Sequence, residues 1–497
     1  MTVAPSPSPA PSPSPSPAPP PNQPGCPVAG QPTDSSDCSA CGGGSPGGGG
    51  RPGGGRPPYL LSPGMPSWNV NLFSLNLVVA DTPAFYSPGL GPQVAWSLIY
   101  NSVNPNAIVD VGPFSYLFGP NISCPYTAHV VDLGTVAHVV MPDGRTDWYY
   151  PINAGSNPVT YAPAASTGVF NALTKNTSNN LFTLTLSDRS DSYTFGRAFS
   201  SGGSNYYALT KITDPVGQSL ALGYGSGAVP QLLTLADANG NTSSVTYNSA
   251  GQASQVSDAF GAGAQFSYTA VNGRSLLSAI TDQAGYTSLL GYDGSGRLTS
   301  ITTPLTAPNP AWQFAYAGTG GQVASVIDPY GNARTYAVAT TTTTLTDPLG
   351  RKTTYNFANN SFGGAGTITD ALGNLTQQSF DANRNLTQVV NARGYFSQYS
   401  YDGNGNRLTQ TDFLNAYPNT SGSVQRSWTY DGNNNMLSAT DPLGTRSWTY
   451  NVNNQALTSR DKLERFSGYC SGIPAMDEVV SAIHLRELVH ESSQELP

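Results

Sequence analysis

The sequence predicts an all-β protein built from hairpins in series, and three observations carry that prediction. Charged residues make up 10% of the 497 residues, against roughly 25% in an ordinary soluble domain. Lysine occurs four times, whereas glycine (54) and tyrosine (27) are abundant. Thr and Tyr pack well on pleated surfaces, Gly and Asn supply positive φ in turns, and long surface helices want other residues. The third observation is punctuation that repeats. YDGNGNRLTQTD ends at Asp412 and YDGNNNMLSATD ends at Asp441, with eight of twelve positions identical.

The elements follow in chain order. Residues 1–66 read as a linker: Pro-Ser alternation favours extended polyproline II, and GGGSPGGGGRPGGGRPP is flexible coil. GGSPG (43–47) matches a nucleophile-elbow pattern by chance, because this tract supplies neither the strand nor the helix that an elbow joins. From Pro66 the texture changes. VNLFSLNLVV (70–79) and QVAWSLIYNS (93–102) read as strands, followed by TAHVVDLG, VAHVVMPDG, LFTLTLSD and DSYTFG. The last two meet around Asp188 to Asp191 as a hairpin. This 67–210 region leads into the repeats.

The repeats occupy 211–461. Their clearest form runs from Asp370 through Asn391 to Asp412, two units of 21 residues, with looser copies opening at Asp214, Asp237, Asp258, Asp282, Asp328, Asp347 and Asp441. The opening Asp and its aromatic stand ten residues apart in Asp214→Tyr224, Asp237→Tyr247, Asp258→Tyr268 and Asp282→Tyr292, and eight apart in the copies opening at Asp328 and Asp347. In DPLG the carboxylate can cap turn amides, Pro presets φ and Gly accepts the left-handed region. A strand then runs to the Tyr, DGNGN turns the chain, and RLTQT returns. Alternation puts Tyr395, Tyr399 and Tyr401 on one strand face and Phe396 on the other. A lone hairpin of this size is marginal in water, but many in series cover one another's edges.

The Tyr-Asp pairs Tyr292-Asp293, Tyr401-Asp402 and Tyr430-Asp431, with D-x-x-G, Y-D-x-x-G-N and the Leu before the next Thr-Asp, resemble the YD repeats of the Rhs family. The resemblance is strong over 211–461 and weaker over 67–210, where LGPQVAWSLIYNS is similar to the segment that introduces such repeats. It implies a β-cocoon, a spiralling sheet around a hollow interior. In polymorphic toxins that shell encloses a C-terminal toxin, and animal teneurins with similar repeats work in adhesion. No Rhs core segment is recognised after Asp461, and 36 residues are too few for a toxin domain. None of the family's self-cleaving residues can therefore be carried over, and a partial shell is expected.

The expected function is a structural scaffold, part of a shell that encloses or delivers a toxin. The alternative is a secreted or cell-surface adhesion protein whose exposed Tyr and Asn meet carbohydrate. The implied partners are accordingly an encapsulated toxin domain or a cell-surface glycan, with self-association through open sheet edges. A net charge of −8 without a basic patch argues against nucleic acid. No run of 18 apolar residues reads as a membrane span. The N-terminus does not read as a signal peptide, so secretion or surface display rests on the resemblance.

No catalytic residue, cofactor or metal ligand is assigned. Asp381-Ala-Asn383-Arg-Asn385 and Asp402-Gly-Asn404-Gly-Asn406 open like calcium loops, but the twelfth positions are Ala392 and Phe413 and the sixth are Leu386 and Arg407. They read as capped turns. Cys38 and Cys41 have metal or redox spacing without a second pair, Cys26, Cys124 and Cys470 lie apart, and His490-Glu491 lacks the second His of a zinc helix. His129 and His138 stand in separate strands and read as edge or core residues.

From Asp461 the texture changes again: 37 residues carry ten charges, against forty in the preceding 460. DKLE replaces the D-x-x-G turn, so the repeat is expected to stop there. Val479, Val480, Ile483, Leu485, Leu488 and Val489 recur at helical spacing within the 462–497 tail. A docking helix that plugs the shell and a frameshifted, foreign tail both fit; the abrupt change of composition favours the second.

Overall fold

The computed structural model of the protein describes residues 65–468, apart from 104–116, 166, 188–190, 202, 228–229, 305–310, 359–363, 453, 455 and 464. The linker up to residue 64, the CSAC pair, the HESSQ stretch and the expected tail helix lie outside the described residues. Within them the chain is β-sheet, with one 3₁₀ turn at Pro125–Thr127.

The first segment folds as a small layer. Strands β1 (Ser67–Val70), β2 (Leu77–Asp81), β5 (Leu98–Asn101) and β6 (Ile122–Ser123) pair in that order, and β3 (Phe85–Tyr86) pairs with β4 (Val94–Ala95) as a separate hairpin. Two single strands expected from sequence are thus each broken in two. In 70–79 the break is a turn in which the Asn71 side chain accepts the amides of Phe73 and Ser74 and Leu75 adopts φ 53. Periodicity sees the apolar run but not the side chain that caps inside it.

The main sheet starts at β7 (His129–Asp132) and continues in antiparallel steps through β8 (Ala137–Val140), β9 (Thr146–Pro151), β10 (Val159–Pro163), β11 (Ala172–Asn176), β12 (Leu181–Thr185) and β13 (Ser192–Ser201) to β14 (Ser204–Thr213). The ten-residue β14 then does two things. Its first half, Asn205–Ala208, pairs with β7 and closes an eight-stranded turn. Its second half, Lys211–Thr213, pairs with β15 (Ser219–Tyr224), and the sheet carries on to β37 (Phe466–Gly468). A strand split this way converts a closed barrel into a spiral, because the second turn starts one half-strand higher than the first. The spiral comes round again at Asn434, whose side-chain amide donates to the Ser187 carbonyl at 2.7 Å, 247 residues away in sequence.

Two local devices recur among the hairpins of the second turn. The Asp that opens a turn accepts backbone amides on Oδ1 and, in the fullest form of the turn, a side chain on Oδ2. Asp328, for example, receives Tyr330 N (2.8 Å), Asn332 N (2.9 Å) and Asn332 Nδ2 (2.8 Å). Where Arg replaces Asn the same oxygen takes its guanidinium, as in Asp293–Arg297. The Gly ahead of it has positive φ, 85° at Gly285 and 83° at Gly373, with open space around each. The Tyr at the strand end reaches back to the preceding hairpin. Tyr224, Tyr268 and Tyr292 donate their hydroxyls to Leu209, Ala253 and Leu277 carbonyls at 2.7 Å, fifteen residues upstream, and Tyr401 does so to Leu386 at 2.9 Å. The Tyr of the motif is therefore a hairpin-to-hairpin latch as well as a packing residue.

The sheet does not stop at Asp461. Leu463 and Arg465 amides donate to Asp461 Oδ1, Arg465 Nε donates to Oδ2, and β36 (Ala456–Arg460) pairs with β37. The expected end of the repeat at Asp461 is corrected to one further strand: the carboxylate cap and the basic side chain complete the turn's hydrogen bonds without the consensus glycine.

Candidate functional site

The inner face of the spiral is where this fold presents side chains, and it changes character along the chain. From β15 to β27 (Lys352–Asn356) each hairpin places two apolar residues opposite each other: Leu222–Leu235, Val245–Val256, Phe266–Ile280, Leu290–Ile301 and Phe314–Val326. The N-terminal layer lies across them. Trp68 meets Trp312 and Phe314 edge-on at 5.1 and 5.8 Å, Phe118 meets Phe266 at 4.9 Å, and Phe73 meets Phe357 at 5.3 Å. One continuous core results, from Trp68 to Ala365.

Hydrogen bonds fix that layer in register. A β-bulge lies just after Ala253, Leu298 and Val323, each of which pairs with the latching Tyr of its hairpin. Their amides donate to the Leu117 carbonyl (2.8 Å), the Tyr100 hydroxyl (3.1 Å) and the Leu75 carbonyl (2.9 Å). A bulge frees a backbone donor from the ladder, and a buried free donor is costly. The N-terminal layer meets that demand.

Asp81 sits at this interface. It is 4% exposed, and its Oδ1 has no hydrogen-bond partner among the described residues. Burial pushes its carboxyl up to about 7, and the Asp282 carboxylate adds to that rise. A cavity of about 20 Å³ beside it, lined also by Tyr100, Leu277 and Tyr292, has room for a water molecule.

Beyond β28 (Thr367–Thr369) the same register positions hold Gln378–Val389, Tyr399–Gln410, Trp428–Ala439 and Trp448–Ser459, all half-buried. A polar network crosses three of these strands. Asp412 accepts Ser397 Oγ (2.6 Å), Gln410 Nε2 (3.0 Å) and Arg426 NH1 (2.6 Å). Burial alone would raise the Asp412 carboxyl, but these three donors hold it below the ordinary carboxylate value. Arg407 lies over the Trp428 ring at 4.5 Å and the Tyr399 ring at 5.9 Å, cation–π geometry that occupies those aromatic faces.

The residues weighed from sequence fall elsewhere. Both calcium-like loops are capped turns: Asp381 accepts Asn385 N and Nδ2, and Asp402 accepts Asn404 N, Asn406 N and Asn406 Nδ2. The lone pairs that a cation would need point at the chain itself. His129 and His138 are both buried, on neighbouring strands; His138 stacks on Trp148 at 4.4 Å, and His129 Nδ1 lies 2.9 Å from the Thr127 carbonyl. Cys124 is buried and free, and burial pushes its thiol up to about 12, the opposite of an activated nucleophile. Phe396, alone on its strand face by alternation, is buried and stacks on Phe413 at 4.1 Å. Sequence reasoning missed the inner-face network, whose only signal was Arg and Gln at positions that are Leu, Ile or Val in earlier hairpins.

Known proteins bear on this arrangement as follows. Residues 272–308 match the profile of the RHS Repeat family. Among curated proteins none matches the sequence. Solved structures that align with this chain include the TcdB2-TccC3-Cdc42 complex, 11% identical, over 78% of this chain and 23% of its own at a TM-score of 0.34. The Photorhabdus luminescens Tc holotoxin pore carrying a TccC3 mutation aligns at 10% identity with 78% of this chain and 22% of its own, also at 0.34. The N-terminal domain of the effector SpvB from Salmonella typhimurium strain LT2 aligns at 12% identity with 78% of this chain and 99% of its own, at 0.22. The chain thus spans less than a quarter of the first two.

Proposed function

We infer that this RHS-repeat chain is a structural shell segment whose open inner face receives a polypeptide cargo of the toxin class. One observation carries the reading. The same bulged register recurs at Phe380–Leu386, Tyr430–Met436 and Tyr450–Ala456, and at three of the earlier hairpins, at Ala253, Leu298 and Val323, the amide at that position goes to an inserted segment of the chain. A sheet that fills half its interior with its own N-terminal layer and leaves the next half lined with Tyr, Trp, Arg and Gln is suited to holding a second insert. The motif's Asp and Tyr are engaged in turns and latches, which supports a scaffold role over a chemical one. The glycan reading is weaker, because Arg407 already covers the faces of Tyr399 and Trp428 that a sugar ring would stack on.

A photo-crosslinking residue at position 428, in the protein made by its own cells, tests the reading. Crosslinks to polypeptide, mapped by mass spectrometry to an effector domain or effector chain, are expected. Crosslinks to glycan alone, or specific glycan-array binding lost on Trp428→Ala, would favour adhesion instead.

A further inference from the structure

The hairpin turns form two rims, one at each end of the strands, and the rims differ. Both use the same cap, with the third residue's amide donating to the opening Asp or Asn. On the rim that joins successive hairpins the third residues are Val216, Phe260, Tyr330, Leu349, Leu372, Leu443 and Leu463, with Asn239, Ala284 and Arg393 between them. On the opposite rim they are Ala250, Ser295, Asn404 and Asn433. Turn geometry is the same, so it does not explain the choice of large apolar residues on one rim. Solvent does not favour it either: Tyr330 is 91% exposed, Leu372 89% and Leu443 83%. At two strands per turn these side chains recur about every 9–10 Å.

The chain itself shows what this rim accepts. The β3–β4 hairpin lies along its first part. Gln283 N donates to the Pro83 carbonyl at 2.8 Å, Phe85 N donates to Gln283 Oε1 at 2.8 Å, the Tyr86 hydroxyl donates to Asp237 at 3.3 Å, and the Tyr86 ring meets Phe260 edge-on at 5.5 Å. An extended segment with aromatic side chains thus spans the turns opening at Asp237, Asp258 and Asp282. The apolar third residues continue along the same rim at Tyr330, Leu349 and Leu372.

We propose that the rim formed by Tyr330, Leu349 and Leu372 is a docking track for an extended, aromatic-bearing segment of a separate protein, laid across the turns as β3–β4 is laid across the preceding ones. The polar opposite rim serves turn-on-turn stacking within the spiral, as Asn434 on Ser187 does. The apolar rim serves outside contact. This goes beyond the shell reading and does not depend on what the interior holds.

The probe is a fluorescent peptide copying residues 82–93, TPAFYSPGLGPQ, added to the full chain and followed by anisotropy. The expected result is saturable binding, weakened roughly tenfold or more by Tyr330→Asp, Leu349→Asp and Leu372→Asp together, and unchanged by Ala250→Asp, Ser295→Asp and Asn404→Asp on the other rim. All six residues sit in turns, and unchanged circular dichroism and thermal midpoint would show that the variants fold. Absence of binding, or equal loss from both triple variants, overturns the proposal. A wild-type dimer that the first triple variant dissociates in sedimentation overturns it in favour of a second copy as the occupant.

Discussion

The hairpins of 219–357 and those of 367–468 share turns, latches and pairing, yet only the first set is covered. In the first, Leu298 and Leu235 are at most 1% exposed under the N-terminal layer. In the second, the equivalent Leu386 is half-buried, and Trp428 faces Ala439 where Phe314 faces Val326. The difference teaches that the hairpin is made locally and the core is not. Asp caps and Tyr latches recur in both sets, whereas burial arrives from residues up to 271 positions away, as when Thr343 Oγ1 donates to the Leu72 carbonyl.

Paired substitutions should separate the halves most. Leu298→Ala and Leu386→Ala remove the same group from the same register position. The first should cost about 2–5 kcal/mol, because it leaves a cavity under the N-terminal layer. The second should cost about 1 kcal/mol, because water already reaches the site. Chemical denaturation measures both, and equal losses would abolish the distinction.

Acidity should sharpen it next. The Asp81 carboxyl is raised from 3.8 to about 7 in the folded protein. Between about pH 4 and 7 the unfolded chain has lost a proton that the folded chain keeps, so Asp81 makes stability fall as pH rises through that window and adds no slope above it. Asp81→Asn should remove the fall and stabilise the covered half at pH 8. Asp412 acts in the opposite sense. Its carboxyl is held below the ordinary value, so the stability it contributes is present above pH 4 and is lost as pH drops through its folded value. Asp412→Asn should weaken the open half at neutral pH and leave acid stability unchanged. Hydrogen exchange resolved by region reads both; a common pH slope in the two halves would contradict this assignment.

The latch should show a smaller contrast. Tyr268→Phe leaves the Ala253 carbonyl short of a donor beside the buried layer and should cost about 1–1.5 kcal/mol. Tyr401→Phe, where water can replace the hydroxyl, should cost a few tenths. The smallest contrast belongs to the turns. Gly285→Ala and Gly373→Ala both strain a positive φ with nothing nearby to clash, and each should cost about 1 kcal/mol. A clear inequality would mean that the turns feel the core after all.

What sequence by itself determined was everything whose partners lie close in the chain. The Asp, Gly and Asn of each turn bond within four residues, so their roles and the antiparallel hairpins they force were readable from spacing. The latching Tyr bonds only fourteen to eighteen residues back, a distance set by one hairpin, and its regular recurrence was legible although its acceptor was not. The broken strand at 71–76 was lost because a capping Asn sits inside an apolar run, and the extra turn at Asp461 was lost because the motif tolerates a missing glycine when the carboxylate keeps its donors. Tertiary structure alone decided the rest. That β14 splits between β7 and β15, turning a barrel into a spiral, depends on which of two edges each half-strand meets. The division of the inner face into a filled and an open half depends on where a distant segment comes to lie. Neither has a local cause: a hairpin's residues encode its own bend and its bond to the next hairpin, while closure is set by a pairing more than 70 residues apart and burial by contacts up to 271 residues apart.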